Sequence, residues 1–457
     1  MNGHIGIRHE DKYMMERRTP LIPSHVKKLI EEHQVKVWVQ ASEKRVFGDR
    51  DYLKAGAAVE EGLRGCNIIF GVKEIPAEVF EAGKTYVFFS HVIKGQPYNM
   101  PMLKRMMDLG CNLIDYECIT DDQDKRLIFF GKHAGLAGMI NSLWSLGQRL
   151  KELGYTDNPF LPIRQAHHYD SLEHASRDIS MVGTHIANNG IPGELQPLVI
   201  GFTGYGNVSA GAQEIAGLLP SMEISPGQLL SLSKRKSHPK NMIYKVIFRE
   251  EHLVRLKGIN GSCGCGCGCD DEPDSGRSGN KESFDVQHYY QHPEKYESCF
   301  EKYIPHLTVL MNCMYWDARY PRIVTKEYIK HLFNSGLPRL KVIGDITCDP
   351  EGSVEITHKG TAIEDPVFVY DPANGQPAMG FKGNGILVMA VDILPSELPR
   401  DSSEAFSSAL YPFVKEIAGT DFSLPFDSLK LPQAIKKALI LHKGKLTAEY
   451  EYIYGYL

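Results

Sequence analysis

The sequence predicts an α/β protein of two domains, each a parallel sheet covered by helices, with an active site in the cleft between them. Three observations carry this expectation. The chain has 457 residues, too many for one core. Its first part alternates short apolar strands with amphipathic helices, the pattern of βαβ units. A second such series opens near residue 197, where an apolar strand runs into a glycine-rich turn.

Taken in order, HIGIR (4–8) reads as a strand, and Ser24 caps a helix through Glu32. VKVWVQ (35–40) alternates with period two. CNIIFGV (66–72), TYVFFS (85–90) and NLIDYE (112–117) follow as apolar strands, with a helix over 101–109 between the last two. GKHAGLAGMINSLWSLGQRLKELG (131–154) is a long amphipathic helix with small residues at its start. PLVIGFTGYGNVSAGAQEIAGLL (197–219) is strand, turn and helix; MIYKVIF, HLTVLMNCMYW and RLKVIGDITCD add strands, with Ser353–Ile356 as a further one. The tail offers a strand at ILVMAV and helices over 402–417 and 431–441. Packed back on the start of the chain, it makes the first domain discontinuous: 1–131 with about 386–457, around a second domain at 132–385. A Gly/Ser/Asp/Cys-rich stretch near 258–283 is expected to be a disordered insertion.

Hydrophobic content of 42% and charged content of 23% are those of an ordinary globular protein. A net charge of −5 gives no basic field for nucleic acid or an acidic membrane. No stretch approaches the ~18 apolar residues of a membrane span. The start, MNGHIGIRHEDKY, lacks an apolar leader core and carries acids early, so a cytoplasmic protein is expected. Of ten cysteines, four form CGCGCGC at 263–269. That spacing offers soft ligands, but Cys–Gly alternation in a flexible segment needs no ion, and no metal is expected. The other cysteines read as small buried hydrophobes in a reducing compartment.

Gly204-Tyr-Gly206-Asn-Val-Ser209 fits GxGxx[GAS] between a strand and a helix, the context a dinucleotide fingerprint demands. Gly204 permits the turn, Gly206 the approach of a pyrophosphate, and Ser209 close helix packing; the helix N-terminus favours the phosphate. Two Rossmann-like domains are therefore expected. The next strand, MEIS, ends on Ser225 with Lys234 and Arg235 downstream, which favours NADPH over NADH; Glu223 is the acid that argues the other way.

Lys73 and Glu74 close one strand, His91 the next, and Glu117 the one after, with Lys94 one turn beyond His91. Three parallel strands then bring titratable groups to the edge where open α/β sheets form their crevice. A lysine near carboxylates and a histidine make an acid–base set. Arg18 follows the first strand on a loop stiffened by Pro20 and Pro23 and suits a carboxylate; Glu16 is placed to hold Lys94 or another cation. Asp345 occupies the same edge of the other domain.

ERRTPLIPSH, GVKE, YVFFSH, the YE at 116–117, KRLIFFGKHAGLAGM, FTGYGNVSAGAQEI, NCMYW, GDITCDPEGSVE and MAVDILPSELP together resemble the lysine–2-oxoglutarate reductases. These form the N-terminal half of the bifunctional aminoadipic semialdehyde synthases of plants and animals; NCMYW and DITCD look most plant-like. The resemblance spans nearly the whole chain and extends to the fungal saccharopine dehydrogenases and, further off, alanine dehydrogenase. It implies that L-lysine condenses with 2-oxoglutarate and that NADPH reduces the imine to saccharopine. It implies Lys73 and His91 as the acid–base pair, tuned by Glu74 and Glu117, and Arg18 and Arg126 as carboxylate ligands. Lys94, Glu16 and Asp345 match polar cleft residues, and Gly204, Gly206, Asn207 and Val208 the nucleotide turn. Ser225 stands where relatives carry an acid, which supports NADPH. The Cys–Gly insertion departs from the family, and the saccharopine-cleaving half is lacking, which suggests a natural monofunctional form or a domain excised from a fused enzyme. An alanine dehydrogenase-like deaminase and an inactive nucleotide-binding scaffold are the competing readings.

Overall fold

A computed structural model describes residues 3–232, 234–235, 237–258 and 284–457. The expected insertion, including CGCGCGC, therefore lies outside the described residues from 259 onward. The chain divides into two compact units, Met1–Phe130 with Pro399–Leu457, and Gly131–Leu398. Among the described residues no helix is long and apolar enough to cross a membrane.

The first unit is built on β1 (His4–Ile7), β2 (Lys36–Gln40), β3 (Ala58–Glu60), β4 (Ile68–Phe70), β5 (Thr85–Phe88) and β6 (Asn112–Asp115). All six run parallel in the order 3-2-1-4-5-6. The central strands β4, β5 and β6 are buried at every position, as strands covered on both faces must be. Near the edge, β2 alternates buried and open residues. The order reverses between β1 and β4, so their C-terminal ends flank a topological switch point.

Two local expectations shift in this unit. The first helix begins at Pro23 rather than on a Ser24 cap; proline at the first turn lacks only an N–H that would go unpaired anyway. The expected helix over 431–441 is a short helix, Gln433–Lys437, followed by a strand, Leu439–His442. That strand, LILH, pairs antiparallel with β6 and closes an edge that an apolar parallel strand would leave open.

The second unit contains β7 (Val199–Thr203), β8 (Ser221–Glu223), β9 (Ile243–Phe248), β10 (Val254–Leu256), β11 (Tyr296–Ser298), β12 (Val309–Asn312), β13 (Val342–Asp345), β14 (Val367–Asp371), β15 (Gln376–Met379) and β16 (Ile386–Met389). Its main sheet has the order 15-14-16-13-12-7-9-8, and β10 pairs separately with β11. Strands β8, β9, β7, β12, β13 and β16 are parallel, and β14 and β15 are antiparallel additions. Because β16 lies in register beside β13, the chain returns to the first unit at Pro399 rather than near 386. Ser353–Ile356 supplies only an isolated bridge, Val354 to Val324, not a strand.

The helix Gly131–Glu152 crosses the helix Asn207–Ala216 at glycines. A Cβ on Gly135 would strike the Val208 carbonyl, and one on Gly211 the Lys132 carbonyl. The small residues at the start of the long helix are there to let two backbones meet.

Candidate active site

Parallel register brings the ends of β1, β4, β5 and β6 to one edge of the first unit, and the loops beyond them carry the titratable groups. Glu74, Lys73 and His91 lie just past β4 and β5, and Glu117 two residues past β6. His91 donates from Nδ1 to Glu74 Oε1 at 2.7 Å, and Lys12 pairs with the same oxygen at 2.8 Å. Burial pushes the Glu74 carboxyl up, but the His91 hydrogen bond and charge, with Lys12, outweigh it and hold the pKa at about 2. Burial also pulls Lys12 down, and Glu74 more than reverses this. Glu74 Oε2 is buried and accepts no hydrogen bond among the described residues. With Nδ1 donating, His91 keeps Nε2 as the nitrogen able to take a proton.

Two buried carboxylates that sequence reasoning passed over hold these loops. Glu10 accepts the amides of Val72 at 2.8 Å and Lys73 at 2.9 Å. Asp115 accepts the Ser90 amide at 3.0 Å and hydroxyl through Oδ2, and the Glu117 amide at 2.7 Å through Oδ1. Burial raises the pKa of both; Arg8 opposes it at Glu10, and the Ser90 hydroxyl at Asp115. Asn99 adds bonds from its side-chain amide to the carbonyls of Ser90 at 3.0 Å and His91 at 3.3 Å, and His91 adopts a positive φ of 50°. A carboxylate after a strand is an unremarkable surface feature in a sequence. Only the fold shows that Glu10 and Asp115 grip backbone rather than solvent.

The expected arginines are engaged. Arg18 forms a buried two-point pair with Glu16, at 2.7 and 2.5 Å, and stacks over Phe130 at 4.2 Å. Glu16 thus holds Arg18, two residues along its own loop; the expectation was Lys94 or another cation. Arg126, half exposed, pairs with Glu117. Lys94 is exposed beyond His91.

In the second unit, Gly204 has φ 81° and packs on Met314 and the Cys313 carbonyl, so a side chain there would be strained. A Cβ on Gly206 would meet nothing within 4 Å. The helix starts at Asn207 with no side-chain cap, and Asn207 is exposed with Val208 half-buried. This open, uncapped N-terminus fits a dinucleotide pyrophosphate. Ser209 is buried and accepts from Gln213 at 2.9 Å, which keeps the helix tight.

Three cofactor expectations need correction. The strand beside β7 is β9, not β8, which lies one strand further out at the edge. Ser225 caps the next helix, exchanging bonds with Gln228 at 2.9 and 3.1 Å, and Glu223 is tied to Lys245 at 2.7 Å. Lys234 and Arg235 follow that helix and precede β9, so they lie at the N-terminal edge of the sheet. Strands of five or six residues span roughly 17–20 Å, which removes both from the glycine turn. The end of β9 carries Arg249 instead, whose guanidinium sits 4.8 Å above the ring of Tyr205, inside the turn itself. The sequence signal is KVIFRE, whose strand lies beside the turn, whereas Ser221–Glu223 forms a three-residue strand at the edge.

Asp345 also differs from expectation. It is buried, and Asn312, Thr347 and Thr357 donate to it at 2.8, 2.7 and 2.6 Å. Burial raises its pKa against these bonds. Asn312 also bonds Ser353, and Thr203 bonds Asn312, so the cluster ties together β7, β12 and β13. Asp345 thus braces the C-terminal end of the sheet.

Residues 6–137 match the family described as alanine dehydrogenase/PNT, N-terminal domain, and residues 282–449 its C-terminal domain counterpart. The chain is 39% identical to alpha-aminoadipic semialdehyde synthase of Arabidopsis thaliana, over 99% of this chain and 41% of that protein. It is 24% identical to saccharopine dehydrogenase [NAD(+), L-lysine-forming] of Yarrowia lipolytica, over 89% of this chain and 90% of that one. A solved L-alanine dehydrogenase superposes with a TM-score of 0.60 at 17% identity, over 99% of both chains, which is a likeness of fold. The chain thus spans less than half the length of its plant relative. The two domains of one family, matched in their proper order and together over more than half of the sequence, place it: the chain belongs to the alanine dehydrogenase/PNT family.

Proposed function

We propose that the chain catalyses the NADPH-dependent reductive condensation of L-lysine with 2-oxoglutarate to saccharopine, the first step of lysine breakdown. The observation that carries the reading is the His91–Glu74 pair at the strand-end edge of the first unit, on loops that also bear Lys73 and, past β6, Glu117, held by Glu10 and Asp115. The relatives' names support the substrate class.

His91 Nε2 takes a proton from the ε-ammonium of lysine, which frees the amine to attack the keto carbon of 2-oxoglutarate. Lys73 gives a proton to the carbinolamine hydroxyl, which leaves as water. A nicotinamide cofactor held at the glycine turn by Gly204, Gly206, Asn207 and Val208 would supply the hydride for the imine. Glu74 stabilises the imidazolium, and its unpartnered Oε2 is an acceptor for the substrate amine. Glu117 holds Arg126 in position. Arg18, fixed by Glu16 through Nε and one Nη, presents its other Nη to a carboxylate, with Arg126 and Lys94 as further cations. Gly204, Gly206, Asn207 and Val208 receive the pyrophosphate. Arg249 would hold the 2′-phosphate, and the preference for NADPH over NADH rests on it.

The partner reaction this reading calls for is a saccharopine-cleaving dehydrogenase, fused to the reductase in the full-length protein. The six described cysteines carry free thiols, which suits a reducing cytoplasm; cell fractionation tests that location against the mitochondrial matrix. The activity is tested by NADPH oxidation with 2-oxoglutarate and either lysine or ammonium. Oxidation with ammonium alone would make the chain a deaminase.

A further inference from the structure

The N-terminal edge of the second unit's sheet carries basic groups that the proposed reaction does not use. Pro197 leads toward β7, His238 toward β9, His306 toward β12 and Arg339 toward β13. These strands are parallel neighbours, so the four entries lie along one edge, opposite the glycine turn. With Gln196 and Leu232 they line a pocket of about 230 Å³.

The pocket's donors are positioned and unanswered. Arg339 donates through Nη2 to the carbonyls of Leu195 at 3.3 Å and Pro197 at 2.7 Å, which fixes its guanidinium plane. Its Nε is buried with no acceptor among the described residues, and the same holds for His238 Nδ1. Burial and the charges of Arg235 and Arg339 hold His238 below the usual imidazole range; burial and Arg339 do the same to His306. Among the described residues no carboxylate opposes either shift. A guanidinium fixed beside two imidazoles suits an anion, which the charge of Arg339 attracts and the ring N–H groups can bond.

We propose that this pocket binds a compact oxyanion of the phosphate class, with Arg339, His238 and His306 as its ligands. An arginine with one face anchored to backbone and a free Nε suits a phosphate oxygen, and two imidazoles supply further N–H donors. Arg235, displaced from the cofactor by the topology, adds charge at the mouth. The phosphate is either the free ion or the phosphoryl group of a small metabolite.

The test is titration calorimetry of the full chain with inorganic phosphate and with glycerol 3-phosphate at constant ionic strength. Saturable one-site binding is expected, with inorganic phosphate the tighter probe if the ion is free and glycerol 3-phosphate the tighter if it is esterified. Arg339→Gln should weaken binding by about tenfold or more, the scale of a lost charge-assisted bond. His238→Ala, which removes no structural hydrogen bond, should weaken it severalfold and decides the matter if Arg339→Gln does not fold. No saturable binding, or unchanged affinity in His238→Ala, would each overturn the proposal.

Discussion

Glu10 holds Lys73 by its backbone: Oε2 accepts the Lys73 amide at 2.9 Å while Oε1 takes the neighbouring Val72 amide at 2.8 Å. The loop after β4 is thereby pinned to the loop after β1, across the switch point. A catalytic lysine on an unpinned loop would wander by more than reacting atoms tolerate.

Glu10→Ala should therefore lower kcat by about tenfold to a hundredfold, the scale of a misplaced catalytic group, and leave the NADPH dissociation constant unchanged. Glu10→Gln keeps one acceptor and should fall between Ala and wild type. A purely structural role would instead lower thermal stability in proportion while sparing kcat in the folded fraction. Steady-state kinetics beside fluorescence titration with NADPH separate the two.

Glu74 has its carboxyl lowered from 4.5 to about 2 by His91 and Lys12 against its burial. A depressed acid stabilises the fold fully above its unfolded pKa, and that contribution fades as pH falls toward the folded one. The stability advantage of wild type over Glu74→Gln, a few kcal/mol at neutral pH, should shrink between pH 4.5 and 2. Urea unfolding across that range reads it. An advantage that stays level across the range would mean that the carboxylate is not paired.

Arg18 and Glu16 are both buried and joined at two points. Arg18→Met takes from the buried Glu16 its two-point partner, at a cost of about 3–5 kcal/mol. Adding Glu16→Leu should recover most of that stability without recovering turnover. Denaturant midpoints of the two single variants and the double variant test this; additive losses would show that the two side chains do not interact.

Much of the fold was legible because its signals are local. Continuous apolar runs such as NIIF and YVFF announced buried parallel strands, and FTGYGN announced a turn between strand and helix. What the sequence hid were relations between distant segments. LILH reads equally as helix or strand until β6 offers it an edge. Asp345 looks like any acid at a strand end until Asn312, Thr347 and Thr357 close on it. Lys234 and Arg235 look close to the glycine turn in sequence, yet a helix and a reversal of direction carry them to the other edge of the sheet. Lys73, Glu74, His91 and Glu117 were legible because parallel strands deliver their ends to one side. Their braces, Glu10 and Asp115, were not, because a bond to a backbone amide has no residue signature.

Arg249 ends the strand beside the glycine turn and lies over Tyr205. Arg249→Ala should cut the preference for NADPH over NADH by about tenfold to a hundredfold, the loss of 1.5–3 kcal/mol of charge-assisted bonding. Ser225→Ala should cost about 1 kcal/mol of stability as a lost helix cap and leave the preference alone. The ratio of kcat/KM for the two nucleotides measures both. A preference that moves with Ser225 and not with Arg249 would return the specificity to the edge strand.

The most direct measurement follows NADPH absorbance with lysine and 2-oxoglutarate in wild type and in Lys73→Met, with nucleotide binding measured on the same samples. The account predicts oxidation by wild type, abolished in Lys73→Met while NADPH binds both proteins equally. Oxidation by wild type only when ammonium replaces lysine, or undiminished turnover in Lys73→Met, would contradict it.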